Sequence, residues 1–194
     1  MIQGLLGTLG STVVWFGAIV VVLIALAIAW VAARFESPRL GLIALIPVAL
    51  GAAAAIFGLE LLPPDPAYRT VLSVAIAMLG VIAGNPITQW VLSRAKTPAP
   101  AEHGGIVVED ESGEKGEREV LRGGWLIGYL ERLAIIAAVV LGRFEIVAAV
   151  IAVKGLGRFS ELDNAAARER FIIGTLTSII WAGTTALLII AANS

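Results

Sequence analysis

The chain has 194 residues, 58% of them hydrophobic and 15% charged, with a mean hydropathy of +0.91. An ordinary soluble domain is about 45–50% apolar and about 25% charged, so this is the composition of a membrane protein. Its 14 Lys+Arg against 15 Asp+Glu give no reason to expect nucleic acid, and the lack of Cys excludes disulfides, thiolate metal sites and cysteine nucleophiles.

The first residues, MIQGLLGTLGST, carry no Lys or Arg ahead of the first apolar run, so no cleaved signal peptide is expected. A membrane helix needs about 20 apolar residues. Residues 13–33 supply them, closed by Arg34 and by a polar turn that Pro38 ends. Residues 40–59 form a second helix containing Pro47 and Gly51, and Leu61-Leu-Pro-Pro-Asp-Pro66 a rigid turn. Residues 71–92 form a third, interrupted at Gly84-Asn85-Pro86 and anchored by Trp90 at the interface.

Residues 93–123 are the long polar stretch, a mobile loop in which a short β-hairpin starting at Ile106 is the alternative. Its acidic run does not fit an EF-hand, because Lys115 stands where the glycine is needed, and His103 has no ligand companions. Residues 124–159 read as a hairpin turning near Gly142, and residues 171–192 as a last helix that Asp163 or Asn164 caps.

The hairpin arms reach only roughly 24–27 Å by helical rise, against a hydrocarbon core of about 30 Å. The placement of basic residues favours a full crossing. With the N-terminus outside and six crossings, Arg34, Arg39, Arg94, Lys96, Lys115, Arg118, Arg122, Lys154, Arg158, Arg168 and Arg170 fall on the cytoplasmic side. Only Arg69 and Arg143 face outward, and Arg132 lies in the membrane.

The hairpin is also where charge enters the membrane. Glu131 and Arg132 each cost about 2.5–3.5 kcal/mol at the bilayer centre, and nine Leu, Ile and Val residues of the same arm return roughly 3–5 kcal/mol. The arm therefore wants partners. Glu131 lies roughly 10 Å and Lys154 roughly 6 Å from the same end, a difference that a lysine stem spans, so a Glu131–Lys154 contact is expected. Thr175 and Ser178 reach similar depths and offer hydroxyls. Arg132 points about 100° away from Glu131 and should meet other neighbours.

Two readings of these charges stand side by side: they fix helix register, or they line a path for a solute or proton. Gly124-Trp-Leu-Ile-Gly128 and Gly80-Val-Ile-Ala-Gly84 have the spacing that lets helices approach closely. The Asn85-Pro86 break is either a ligand site or an ordinary kink. No Ser-His-Asp set, HExxH, phosphate loop or nucleotide-binding glycine pattern occurs.

Three motifs, GWLIGYLER (124–132), KGLGRF (154–159) and ERFIIGTL (169–176), resemble an uncharacterised family of bacterial, actinobacterial-like, multi-pass integral membrane proteins. In some members a similar C-terminal half follows a domain of unknown function. The resemblance covers roughly residues 120–190. It implies that Glu131, Arg132, Lys154, Arg158, Glu161 and Gly174 are motif residues, and it implies no activity.

The expectation is an all-α membrane bundle of about six helices with both termini outside: residues 1–92 carry three, 93–123 the cytoplasmic loop, and 124–194 the charged hairpin and last helix. Glu131, Arg132, Lys154 and Arg158 form the charge cluster, with Asn85, Pro86, Gly124, Gly128, Glu161, Gly174, Thr175 and Ser178 in support. The function expected is an oligomeric ion or small-solute transporter or sensor of the bacterial cytoplasmic membrane. The alternative is a non-enzymatic scaffold that recruits a partner through its loop. Lipid and a second copy or another membrane protein are the expected partners. No enzyme activity, cofactor, metal or nucleic acid is expected.

Overall fold

In a computed structural model, which describes residues 2–58, 65–95, 124–157 and 165–194, the described chain is helical throughout, with no strand. The helices are α1 (Ile2–Arg34), α2 (Pro38–Ile56), α3 (Pro66–Arg94), α4 (Gly124–Val140), α5 (Phe144–Gly157) and α6 (Ala165–Asn193). Four of them are long and apolar enough to cross a membrane: α1, α2, α3 and α6. The arms α4 and α5, with 17 and 14 residues, are shorter, roughly 25 and 21 Å by helical rise.

Local chemistry sets the helix ends. At the close of α1, Glu36 takes a left-handed φ of 50° and the Ser37 N–H reaches back to the Ala32 carbonyl at 3.0 Å, a Schellman-type stop. Gly142 does the same after α4: its φ is 67° and the Arg143 N–H donates to the Ala138 carbonyl at 2.7 Å, so the hairpin turns at this glycine. Pro38 and Pro66 each occupy the first turn of a helix, where the missing N–H costs nothing.

Two expected starts therefore move. α2 begins at Pro38 rather than at residue 40, and α3 at Pro66 rather than at 71. Asp65 caps α3 by accepting the Ala67 N–H at 2.7 Å. Within α2, residues Leu42–Ala44 tighten into a 3₁₀ turn ahead of Pro47, whose ring leaves no room for a regular preceding turn. The expected rigid turn at 61–64, the polar loop from 96 to 123 with its alternative hairpin, and the caps at Asp163 and Asn164 lie outside the described residues.

α3 is the axis of the bundle. Leu72, Ala75, Ile76, Leu79, Ala83 and Ile87 recur at helical spacing and are buried, and α1 and α6 pack on it most extensively. α1 contributes Trp15, Ile19, Val22, Ala25 and Ala29 to this core, and α6 contributes Trp181, Ala182, Ala186 and Ile189. α4 lies against α3 and α6 through Ile135 and Ile136. α5 differs from all of these. It buries no residue and rests on α4.

The expected interruption of the third helix does not occur: α3 runs unbroken from Pro66 to Arg94 with Pro86 inside it. Pro86 is buried, and its ring fills the place where a side chain on Gly41 would stand, a Cβ there coming within 2.5 Å of the ring. The α2 backbone thus packs on the proline and supports the helix where its own hydrogen bonding is weakened.

Candidate functional site

The two charges of α4 sit side by side in sequence and on different faces. Glu131 turns toward α5, where its Oε2 accepts a charge-assisted hydrogen bond from Lys154 Nζ. The pair is not sealed: 14% of the Glu131 side chain and 22% of the Lys154 side chain stay exposed. It joins two helices, whereas another ion pair, Arg143–Glu145, lies at the exposed hairpin turn.

Arg132 turns inward and is 2% exposed, the largest of the fully buried side chains. Its Nε donates to the Val81 carbonyl at 2.8 Å, its Nη2 to Asn85 Oδ1 at 2.8 Å, and its Nη1 to Ser178 Oγ at 3.3 Å. The Tyr129 ring, one turn back on α4, lies 5.4 Å from the guanidinium carbon, a cation–π contact. All three hydrogen-bond acceptors are neutral. Three of the five guanidinium N–H groups are used.

Glycine makes this burial geometrically feasible. A Cβ on Gly84 would fall on Arg132 Cδ and Nε, so the stem of the arginine crosses α3 exactly where α3 has no side chain. Gly80, four residues earlier, is covered by Thr185 and Ile136, which a Cβ would meet at 2.5 and 2.8 Å. The Gly80/Gly84 spacing thus admits side chains, an arginine among them, rather than a neighbouring backbone. Above it, Trp181 Nε1 donates to the Gly80 carbonyl at 2.8 Å. Two side-chain donors therefore land on consecutive carbonyls, Gly80 and Val81, in the turn before Pro86.

The polar residues form two levels. Arg132, Asn85 and Ser178 make one, on α4, α3 and α6. One helical turn toward the Arg94 end, the same three helices present Gly128, Thr88 and Gly174. A Cβ on Gly128 would stand 3.2 Å from Asn85 Oδ1 and 3.3 and 3.6 Å from the two Nη atoms of Arg132. A Cβ on Gly174 would touch the Thr88 methyl and Leu92 at an ordinary 3.6 Å. The Thr88 hydroxyl is buried and has no hydrogen-bond partner among the described residues.

Ser178, expected beside Glu131 and Lys154, serves Arg132 instead. Thr175 is half-buried and gives no hydrogen bond to any of the three charges among the described residues. Gly124 opens α4, and Arg158 and Glu161 lie outside the described residues. Sequence reasoning missed the Val81 carbonyl, Tyr129 and Thr88 as parts of the site. Thr88 had a signal: it follows Gly84 and Asn85 at helical spacing and so shares their face.

At the Arg94 end, Arg94 stacks 5.2 Å over Trp90, and Trp125 meets Tyr129 edge-on at 5.5 Å. Aromatic residues near one end of a bundle are of the kind found at a membrane interface. No family model, no curated protein and no solved structure matches the chain, and the resemblance over residues 120–190 rests on its three motifs alone.

Proposed function

We propose that the chain is a multi-pass protein of a bacterial cytoplasmic membrane that moves or senses an ion or small solute at the α3–α4–α6 cluster. One observation carries this reading. Glu131 and Lys154 cancel each other, which leaves the almost fully buried Arg132 as a cation whose hydrogen bonds all go to neutral groups. A structural role alone could be filled by a neutral side chain at far lower desolvation cost.

Basic residues support the orientation: Arg34, Arg39, Arg94, Arg168 and Arg170 gather at the end of the bundle opposite Arg69 and Arg143. In this reading α4 and α5 complete six crossings, with Arg143 and Glu145 reaching headgroups at the hairpin tip. A 20.2 kDa chain is small for an independent transporter, and self-association follows from the proposal.

The test is reconstitution into liposomes with flux measured for protons, alkali cations and small anions. Glu131→Gln should abolish flux while the protein stays folded and inserted. A second reading, a non-enzymatic scaffold, draws on α5, which buries nothing and leaves Phe144, Val153 and Leu156 exposed. It requires instead that Glu131→Gln lowers abundance and that trimming residues 98–118 removes the cellular phenotype.

A further inference from the structure

The two arms of the hairpin are held in different ways. α4 buries Arg132, Ile135, Ile136 and Ala138, and the three hydrogen bonds of Arg132 tie it to α3 and α6. α5 buries no residue. Val147, Val150 and Lys154 recur at helical spacing as its half-buried side, and the other residues from 148 to 153 are exposed. Residues 146–153 and 155–157 are all apolar, so Lys154 is the polar side chain that α5 has beyond its first turn, and it is spent on Glu131.

In a bilayer this pair matters more than the stripe around it. Lipid tails are as apolar as Val147 and Val150, so the hydrophobic effect gives α5 no preference for α4 over lipid, and close packing and polar contacts between helices must hold it. The Lys154–Glu131 hydrogen bond is charge-assisted and is the strong contact available.

We propose that α5 is an arm that swings on Gly142 and is latched to α4 by the Glu131–Lys154 pair. Gly142 is exposed, has a φ of 67°, and a Cβ built on it would meet nothing within 4 Å, so its backbone can turn without striking a neighbour. α4 stays in place when the latch opens, because Arg132 grips the bundle from another face. A segment with so few buried contacts is the part of the fold that opens first. Lys154 lies in the last turn of α5, from which its stem reaches headgroups once released. The swing uncovers Glu131 and so regulates access to the cluster. The inference rests on the reading above in placing α5 in the bilayer.

The chain has no Cys, so pairs of spin labels can be introduced on single cysteines. One pair replaces the exposed Val153 of α5 and Leu187 of α6, and a control pair replaces Met78 of α3 and Leu187. Distances are read by pulsed electron resonance on the full chain at one copy per lipid nanodisc. The parent should give one narrow arm distance. Glu131→Gln should add a longer one and raise the open-to-closed ratio about tenfold, as for one lost hydrogen bond to a charged group, with the control distance unchanged. The reversed pair, Glu131→Lys with Lys154→Glu, should restore the closed distance. An arm distance in Glu131→Gln like the parent's, a reversed pair as open as Glu131→Gln, or a control distance that broadens with the arm, overturns the proposal.

The two readings fail separately. Release of the arm without flux of any solute leaves the latch standing and removes transport. Flux that depends on Glu131, with an arm that never leaves α4, does the reverse.

Discussion

Glu131 and Arg132 are consecutive residues of one helix, yet they occupy unlike surroundings. The carboxylate meets an ammonium from a helix that buries nothing, and both remain partly exposed. The guanidinium lies against the buried Gly84 of the central helix and is held by oxygen atoms of Val81, Asn85 and Ser178. A rotation of 100° along α4 separates a loosely covered neutral pair from a tightly packed lone cation. Where a charge sits in a membrane bundle thus depends less on its own helix than on which neighbour has no side chain at that level.

The sharpest way to break the buried side is Arg132→Ala. Truncation leaves a cavity and orphans the Asn85 and Ser178 oxygens, and about 4 kcal/mol of stability should be lost in unfolding by SDS in mixed micelles. Gly84→Ala attacks the same side from α3. Its methyl displaces the arginine stem, with an expected loss of about 2 kcal/mol by the same measurement.

The exposed side should respond less. Glu131→Gln leaves Lys154 without its counter-charge and should cost about 1 kcal/mol, and the double variant Glu131→Gln/Lys154→Met should be more stable than the sum of the single changes implies. A double-mutant cycle between Glu131 and Arg132 should show coupling well below that between Glu131 and Lys154. Trp181→Phe loses only the bond to the Gly80 carbonyl, about 1 kcal/mol. Gly174→Ala meets Leu92 and Thr88 at ordinary contact distance and should shift stability by less than about 0.5 kcal/mol.

Most of the helices were legible in the sequence because apolar runs of membrane length leave little choice of structure. The hairpin turn was legible for a different reason: Gly142 interrupts an apolar run at the one place where a left-handed residue can end α4. The Glu131–Lys154 contact followed from matching depths on two arms that a short turn forces to be antiparallel. Two starts were misplaced because Pro38 and Pro66 read as breakers, whereas proline in the first turn is a helix opener.

Pro86 misled in the opposite sense. From sequence it marks a break, and only the α2 backbone at Gly41, nearly 50 residues away, shows why the helix continues through it. The partners of Arg132 were hidden for the same reason. Val81, Asn85 and Ser178 come from two other helices, and nothing in the α4 sequence sets the rotation that brings them together. Thr175 was admitted by depth alone, and among the described residues it gives no hydrogen bond to Glu131, Arg132 or Lys154.

The central claim is that Arg132 is a cation buried among neutral partners on α3 and α6 while Glu131 is taken by Lys154. An experimental structure of the full chain in a lipid nanodisc tests it most directly. The account predicts the guanidinium shielded from lipid and held by the Val81 carbonyl, Asn85 Oδ1 and Ser178 Oγ. A map with the guanidinium paired to a carboxylate of the chain, or turned out to lipid, would contradict it.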